Sequence, residues 1–392
     1  MLMPRTLIHS ARVVTDGRVV EDGWVLFEGE GICAIGQGAP PRAHMEPEAA
    51  TEIVDAQGRF LTPGFIDIHC HGAGGATFGD DAAAIARALA VHRAHGTTRS
   101  VLSLVTATID DLERQLDTVS SIAAGDPLVL GAHLEGPFLA KGHKGAHDVT
   151  MLREPDEKSV GRLLDAGRGS IRQITLAPEL PGGMAALRRF VEANVLVAIG
   201  HTDVNYKDAL AAFSAGATLL THAFNGMNGI HHRAPGPVLA AIRSIVVTLE
   251  VINDGVHVDP EMVRLAFDEA PGRVALITDA MSAAGAPDGE YTLGGLRVVV
   301  RDRIARLAQG GSIAGSTLTL DAALRQAVAS LRLPIETAVA ALTEVPARAI
   351  GRASDLGRLA PGYAADAVLL TETLNVKTVW AGGLRLGAVV AR

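Results

Sequence analysis

Hydrophobic and polar positions follow three successive patterns along this chain. Over the first sixty residues, short apolar runs are broken by Asp16-Gly17, Asp22-Gly23 and Glu30-Gly31. Such pairs reverse the chain between neighbouring strands, so the segment predicts a β meander. From residue 60 to about 350, strand-like apolar runs alternate with stretches of helical period. The strand candidates are Phe65–His69, Thr98–Thr106, Leu128–Glu135, Ile171–Pro178, Val195–His201, Thr218–His222, Ile245–Ile252 and Val274–Asp279. The helix predicted over Asp80–His95 is typical of the segments between them. Asp80 is its expected N-cap, Ile85, Ala88, Leu89 and His92 share a face, and Gly96 closes it. The last stretch, Gly357–Arg392, returns to a β pattern in AADAVLL and VKTVWAGG.

Eight strands alternating with helices is the count of a (β/α)8 TIM-like barrel, an α/β fold. An open doubly wound sheet is the rival. No G-x-G-x-x-G opens a helix after the first strand and no phosphate-loop pattern occurs, which lowers it. Neither terminal segment has the apolar area to hold a core alone. Residues 1–59 and 355–392 are therefore expected to combine as a small discontinuous β-sandwich, with residues 60–354 forming the barrel.

Composition narrows the function classes. A chain of 392 residues that is 48% hydrophobic and 20% charged, with 43 Gly, suits a compact enzyme-like protein. Its net charge of −8 offers no basic footprint for nucleic acid. Cys33 and Cys70 are too few for a disulfide scaffold, which fits a reducing compartment. The start, MLMPRTLIHSARVV, has no signal-peptide pattern, and no apolar run reaches membrane-spanning length. A cytoplasmic protein without a membrane partner is expected.

Candidate chemistry gathers at the predicted strand ends. His69 and His71, in FIDIHCHG, lie two residues apart, so on an extended strand both imidazoles face one side. Glu135, His201, His222 and Asp279 each close another apolar run, at the last inward position. In a (β/α)8 barrel those ends build the active site. Four imidazoles and two carboxylates suit Zn2+, or Fe2+, Mn2+ or Co2+, better than the all-oxygen cages of magnesium and calcium. His133, one level below Glu135, is expected to support the ligands, while parity turns Cys70 away from them. His9, His44, His92 and His95 read as structural. Asp279 could take a proton from cation-activated water and pass it to a leaving group. The G-x-S-x-G elbow of a serine nucleophile is absent.

These segments resemble the amidohydrolase superfamily, and within it the N-acetylglucosamine-6-phosphate deacetylase family, over essentially the whole chain. PGFIDIHCHG resembles the opening metal motif, GAHLEGPFL the segment with the metal-binding glutamate, and KGAH the loop with a substrate histidine. AIGHT and THAFNGMN resemble the two single-histidine motifs, and INDGVHVDP, ITDAMSAAG and IAGSTLTL complete the series in order. The resemblance implies metal ligation by Glu135, His201 and His222. Glu135 would replace the carboxylated lysine that many relatives carry on the fourth strand, which here reads ITLAPE. Retention of both His69 and His71 permits a second ion, shared with Glu135 and Asp279.

The resemblance also places His147 near the acetyl carbonyl, with Asn225, the backbone of Gly226, Arg233 and His257 around a sugar phosphate. A phosphate dianion suits an arginine fork, a histidine and amide donors. A homodimer is implied, because in the family the neighbouring subunit can help complete the phosphate end. The implied reaction is metal-dependent hydrolysis of N-acetyl-D-glucosamine 6-phosphate to D-glucosamine 6-phosphate and acetate, in amino-sugar catabolism, with Asp279 and His147 catalytic. The alternatives are an amidohydrolase acting on another N-acyl amino sugar or amino acid, and a non-catalytic barrel scaffold.

Overall fold

The structure, a computed structural model, describes residues 4–45 and 51–387. The chain divides into two compact units, one of Met1–Asp67, His92–Arg99 and Leu320–Arg392, the other of Ile68–Val91 and Ser100–Thr319. In the first, both chain ends contribute to one mixed eight-stranded sheet. Its N-terminal strands are Arg5–Thr15, Arg18–Glu28, Gly31–Gln37, Thr51–Asp55 and Phe60–Pro63, and Ala367–Leu370, Val376–Ala381 and Leu384–Arg385 come from the other end. Ile8, Val13, Phe27, Leu61, Leu369 and Trp380 pack into one buried cluster, so apolar area from the two ends is pooled. Asp16 and Gly17, at φ 50° and 68°, make the expected two-residue hairpin turn. Asp22-Gly23 does not turn the chain. It lies inside the strand Arg18–Glu28, where the pairing with Arg5–Thr15 shifts register on either side of Ala11.

The second sheet is the barrel. Its eight strands follow one another in chain order: Phe65–Cys70, Thr97–Val105, Val129–Glu135, Ile171–Leu176, Leu196–Ile199, Leu219–Leu220, Thr248–Ile252 and Val274–Ile277. From the second strand to the eighth, successive strands pair in parallel. The ring is nearly closed, because just past the eighth strand the Asp279 N–H donates to the His69 carbonyl of the first at 2.9 Å. Strands buried on both faces carry near-continuous apolar runs, the pattern that announced them.

Three local expectations change. Asp81, not Asp80, caps the helix Ala82–Ala94, accepting from the Ala84 N–H at 2.8 Å. The seventh strand begins at Thr248, and Ile245 and Val246 are left 84% and 64% exposed. The fifth, sixth and eighth strands stop two residues before His201, His222 and Asp279. An antiparallel three-stranded sheet, Gly289–Leu293, Leu296–Arg301 and Ile304–Leu307, follows the eighth strand and was not expected. Among the described residues, no helix is long and apolar enough to cross a membrane.

Candidate metal centre and active site

Where each imidazole puts its proton decides what the centre can hold. Nδ1 of His69 lies 3.0 Å from Glu250 Oε2, and Gln173 donates to the other oxygen of Glu250 at 2.7 Å. Nδ1 of His201 lies 2.7 Å from the His143 carbonyl, and Nδ1 of His222 lies 3.1 Å from the Asn225 carbonyl. Carbonyls and carboxylates accept, so all three rings carry a proton on Nδ1 and turn Nε2 toward the centre. There, Nε2 of His201 and Nε2 of His222 are 3.0 Å apart, and 3.2 and 3.1 Å from Glu135 Oε1. Nε2 of His69 is 3.2 Å from Nε2 of His71, 3.4 Å from Glu135 Oε1 and 3.5 Å from Asp279 Oδ1. His71 Nε2 reaches Glu135 Oε2 at 3.1 Å and Asp279 Oδ1 at 3.2 Å.

So many lone pairs converge only around positive charge. Protons supply it when nothing else does. Burial opposes a charge on His71, but hydrogen bonds to Asp279 and Glu135 outweigh it and push its pKa up to about 9. His69 is likewise raised well above its usual value, against its burial, by Glu135 and Asp279. Burial would raise Asp279, yet His69 and then His71 hold it down to about 2. A divalent cation would meet the same need without protons. Buried nitrogen and carboxylate donors, with the far nitrogens of His69, His201 and His222 already fixed, are the donor set for one.

Backbone geometry contributes as much as residue type. His201, His222 and Asp279 adopt φ of 46°, 25° and 47°, in or near the left-handed region that non-glycine residues rarely enter. Each costs on the order of 1 kcal/mol or more, and such positions cluster at functional sites. The chain leaves the strand, turns, and only then presents the side chain. Strand parity therefore places His69 and Glu135 but is not what aims these three.

Around this centre, His133 packs edge-on to His69, with ring centroids 4.6 Å apart, and its hydrogen-bond partners are not candidate ligands: Nδ1 lies 2.8 Å from Ser103 Oγ and Nε2 2.9 Å from Thr175 Oγ1. Burial and then the charge of His69 keep its pKa well below the usual value. Cys70 Sγ points to the Gly72 and Ala280 carbonyls. His147 stands 3.4 Å from Glu135 Oε2 through Nε2, while Nδ1 lies 2.8 Å from the Thr106 hydroxyl. Burial and then His201 push its pKa down to about 4, so the ring is neutral.

A pocket opens above the cluster, and His147, Asn225, Gly226 and His257 form part of its wall. His257 Nδ1 is 2.7 Å from Asp254 Oδ2, which raises the histidine's pKa against its burial. Arg233 is exposed and outside that wall. Sequence reasoning did not reach Glu250, Gln173 or Thr106. For Glu250 the signal was one carboxylate inside the apolar run IVVTLEVI.

The sequence pattern of the amidohydrolase family matches residues 60–386. The chain belongs to the amidohydrolase family. This amidohydrolase is 36% identical over 373 residues to the N-acetylgalactosamine-6-phosphate deacetylase of Escherichia coli O157:H7, a match covering 93% of this chain and 96% of that protein. It is 35% identical over 352 residues to the N-acetylglucosamine-6-phosphate deacetylase of Lysinibacillus sphaericus, covering 88% and 89%. Among solved structures, the N-acetyl-D-glucosamine-6-phosphate deacetylase of Mycobacterium smegmatis, as an Asp-to-Ala variant in complex with N-acetyl-D-glucosamine 6-phosphate, matches it with a TM-score of 0.91. That match has 40% sequence identity and covers 97% of this chain and 99% of the other.

Proposed function

We propose that this amidohydrolase hydrolyses the N-acetyl group of N-acetyl-D-glucosamine 6-phosphate, giving D-glucosamine 6-phosphate and acetate. The observation that carries this reading is the convergence of Glu135, His69, His71, His201, His222 and Asp279 at the mouth of the barrel, beneath a pocket whose wall also holds His147 and His257. Similarity to deacetylases of two 6-phosphorylated N-acetylhexosamines supports the substrate class.

Glu135, His201 and His222 would hold one divalent cation, and His69, His71 and Asp279, with Glu135, a second. When bound, such an ion, with Zn2+ the best match to the donors, supplies Lewis acidity that polarises the acyl carbonyl and acidifies water. Asp279 is ionised at neutral pH and can take the proton of the attacking water and hand it to the departing amine. His147 presents Nε2 to the acyl oxygen. To donate there, its Nδ1 must accept the hydrogen bond of the Thr106 hydroxyl, across 2.8 Å, in place of the Glu135 carbonyl 3.1 Å from the same hydroxyl. Asn225, the Gly226 N–H and His257 take the sugar-phosphate end. Arg233, exposed on its own chain, would serve the pocket of a neighbouring subunit in a cytoplasmic homodimer of amino-sugar catabolism.

Acetate release from N-acetylglucosamine 6-phosphate, its galactosamine epimer and the unphosphorylated sugars tests the reading. Cation-dependent release that requires the phosphate is expected. Release unaffected by chelation, or no release, overturns it. The galactosamine epimer as preferred substrate is the second reading, favoured by the Escherichia coli relative.

A further inference from the structure

Two cavities share one wall beside the catalytic cluster. Beside the pocket already described lies a second, solvent-open cavity of about 350 Å3, with Ser103, Thr106, Thr108 and Gln115 in its lining. His71, Val105 and Leu293 line both. Val105 closes the second barrel strand, and Leu293 belongs to the added three-stranded sheet. The two pack in one apolar cluster with Met281 and Val298. The tip of the hairpin is pressed against this wall: a Cβ on Gly294, at φ +53°, would fall 2.8 Å from Val105 Cγ1. The partition is therefore held from the strand side and from the hairpin side.

The chemistry of an amide assigns its two substituents. The reacting carbonyl must sit at the cluster. Its nitrogen side leads to the sugar, toward Asn225 and His257, so the acyl tail turns to the rest of the wall, where Val105 and Leu293 stand. A methyl group suits those side chains. The cavity beyond them is polar, and Gln115 Oε1 is buried there without a hydrogen-bond partner.

We propose that Val105 and Leu293 form the end wall of the acyl subsite, restricting it to acetyl, and separate it from the neighbouring solvent-open cleft, whose hydroxyl and amide side chains suit hydroxylated acyl tails such as N-glycolyl. This rests on the proposed deacetylation. The test compares kcat/KM on N-glycolyl- and N-acetylglucosamine 6-phosphate for wild type, V105A, L293A and V105I. Taking the ratio within each preparation removes differences in folded fraction. Trimming is expected to raise the glycolyl-to-acetyl ratio by about 10-fold or more, the range that one or two methyl-sized groups command in a pocket, and V105I to lower it. Ratios unchanged in both trimmed variants, or a wild type that already accepts both substrates equally, overturn the wall alone. A wild type that releases no acetate overturns the activity and the wall together.

Discussion

Glu250 Oε2 and His69 Nδ1 lie 3.0 Å apart with both side chains fully buried, a contact that decides which nitrogen of His69 faces the centre. The amide of Glu250→Gln could donate to Nδ1, moving the ring proton to Nε2 and spoiling the ligand. Affinity for the ion at His69 is expected to fall about 10–100-fold, with the ion at Glu135, His201 and His222 retained. Elemental analysis after dialysis checks this. Unchanged ion content would remove Glu250 from the design of the site.

The cation-free centre should depend on pH in a definite direction. The folded-state pKa of His71 is raised, to about 9, so its stabilising contribution is fully present below about 6.5 and is lost as pH rises through 9. Chelated protein is expected to lose several degrees of Tm across that window. Loaded protein should not, because its cation-bound imidazoles carry no extra proton to lose, and cation affinity should rise over the same range as competing protons leave. Calorimetry of both forms at a series of pH values reads this out, and a flat chelated curve would contradict it.

Asp279→Asn keeps an oxygen donor but loses the base. A fall in kcat of about 10²–10⁴-fold is expected, with cation content at Glu135, His201 and His222 unchanged. Near-normal turnover would move the proton transfer elsewhere.

Thr106 meets the His147 ring at Nδ1, and its hydroxyl also lies 3.1 Å from the Glu135 carbonyl. Thr106→Val should lower kcat by roughly 10–100-fold with little change in KM, and Thr106→Ser should restore it, since only the hydroxyl orients the ring. Equal loss in both variants would point to packing instead.

In the first unit, Arg99 grips Asp366 through Nε at 2.6 Å and Nη2 at 3.1 Å, and Asp366 also accepts from the Gly382 N–H at 2.7 Å. Both side chains are about nine-tenths buried. Asp366→Ala removes this buried partner of Arg99 and should cost about 3–5 kcal/mol, read as a lower urea midpoint, while cation content holds.

Much of the barrel was legible because buried parallel strands advertise themselves as unbroken apolar runs, and polar residues closing those runs picked out side chains that converge. The reason such residues converge was only partly visible. His69 and Glu135 follow from alternation, whereas His201, His222 and Asp279 depend on backbone turns that no side-chain pattern encodes. Glu250 meets His69 across 181 positions and Gln173 across 77, separations that local periodicity does not register. The hairpin at Gly294-Gly295 carried ordinary turn chemistry within LGGLRVVVRDRIARL, but it interrupts the barrel alternation rather than extending it. Ile245 and Val246 show the opposite failure: β-branched residues that look like a strand start but belong to the exposed approach to one.

The three left-handed turns also limit how such a centre can arise or be copied. Grafting histidine and aspartate onto the strand ends of a regular barrel would supply the right groups on the wrong vectors, because each side chain here is aimed by a bend in the main chain. A scaffold intended to host this chemistry would have to import the connecting segments together with their residues, so the unit of inheritance is the loop rather than the side chain.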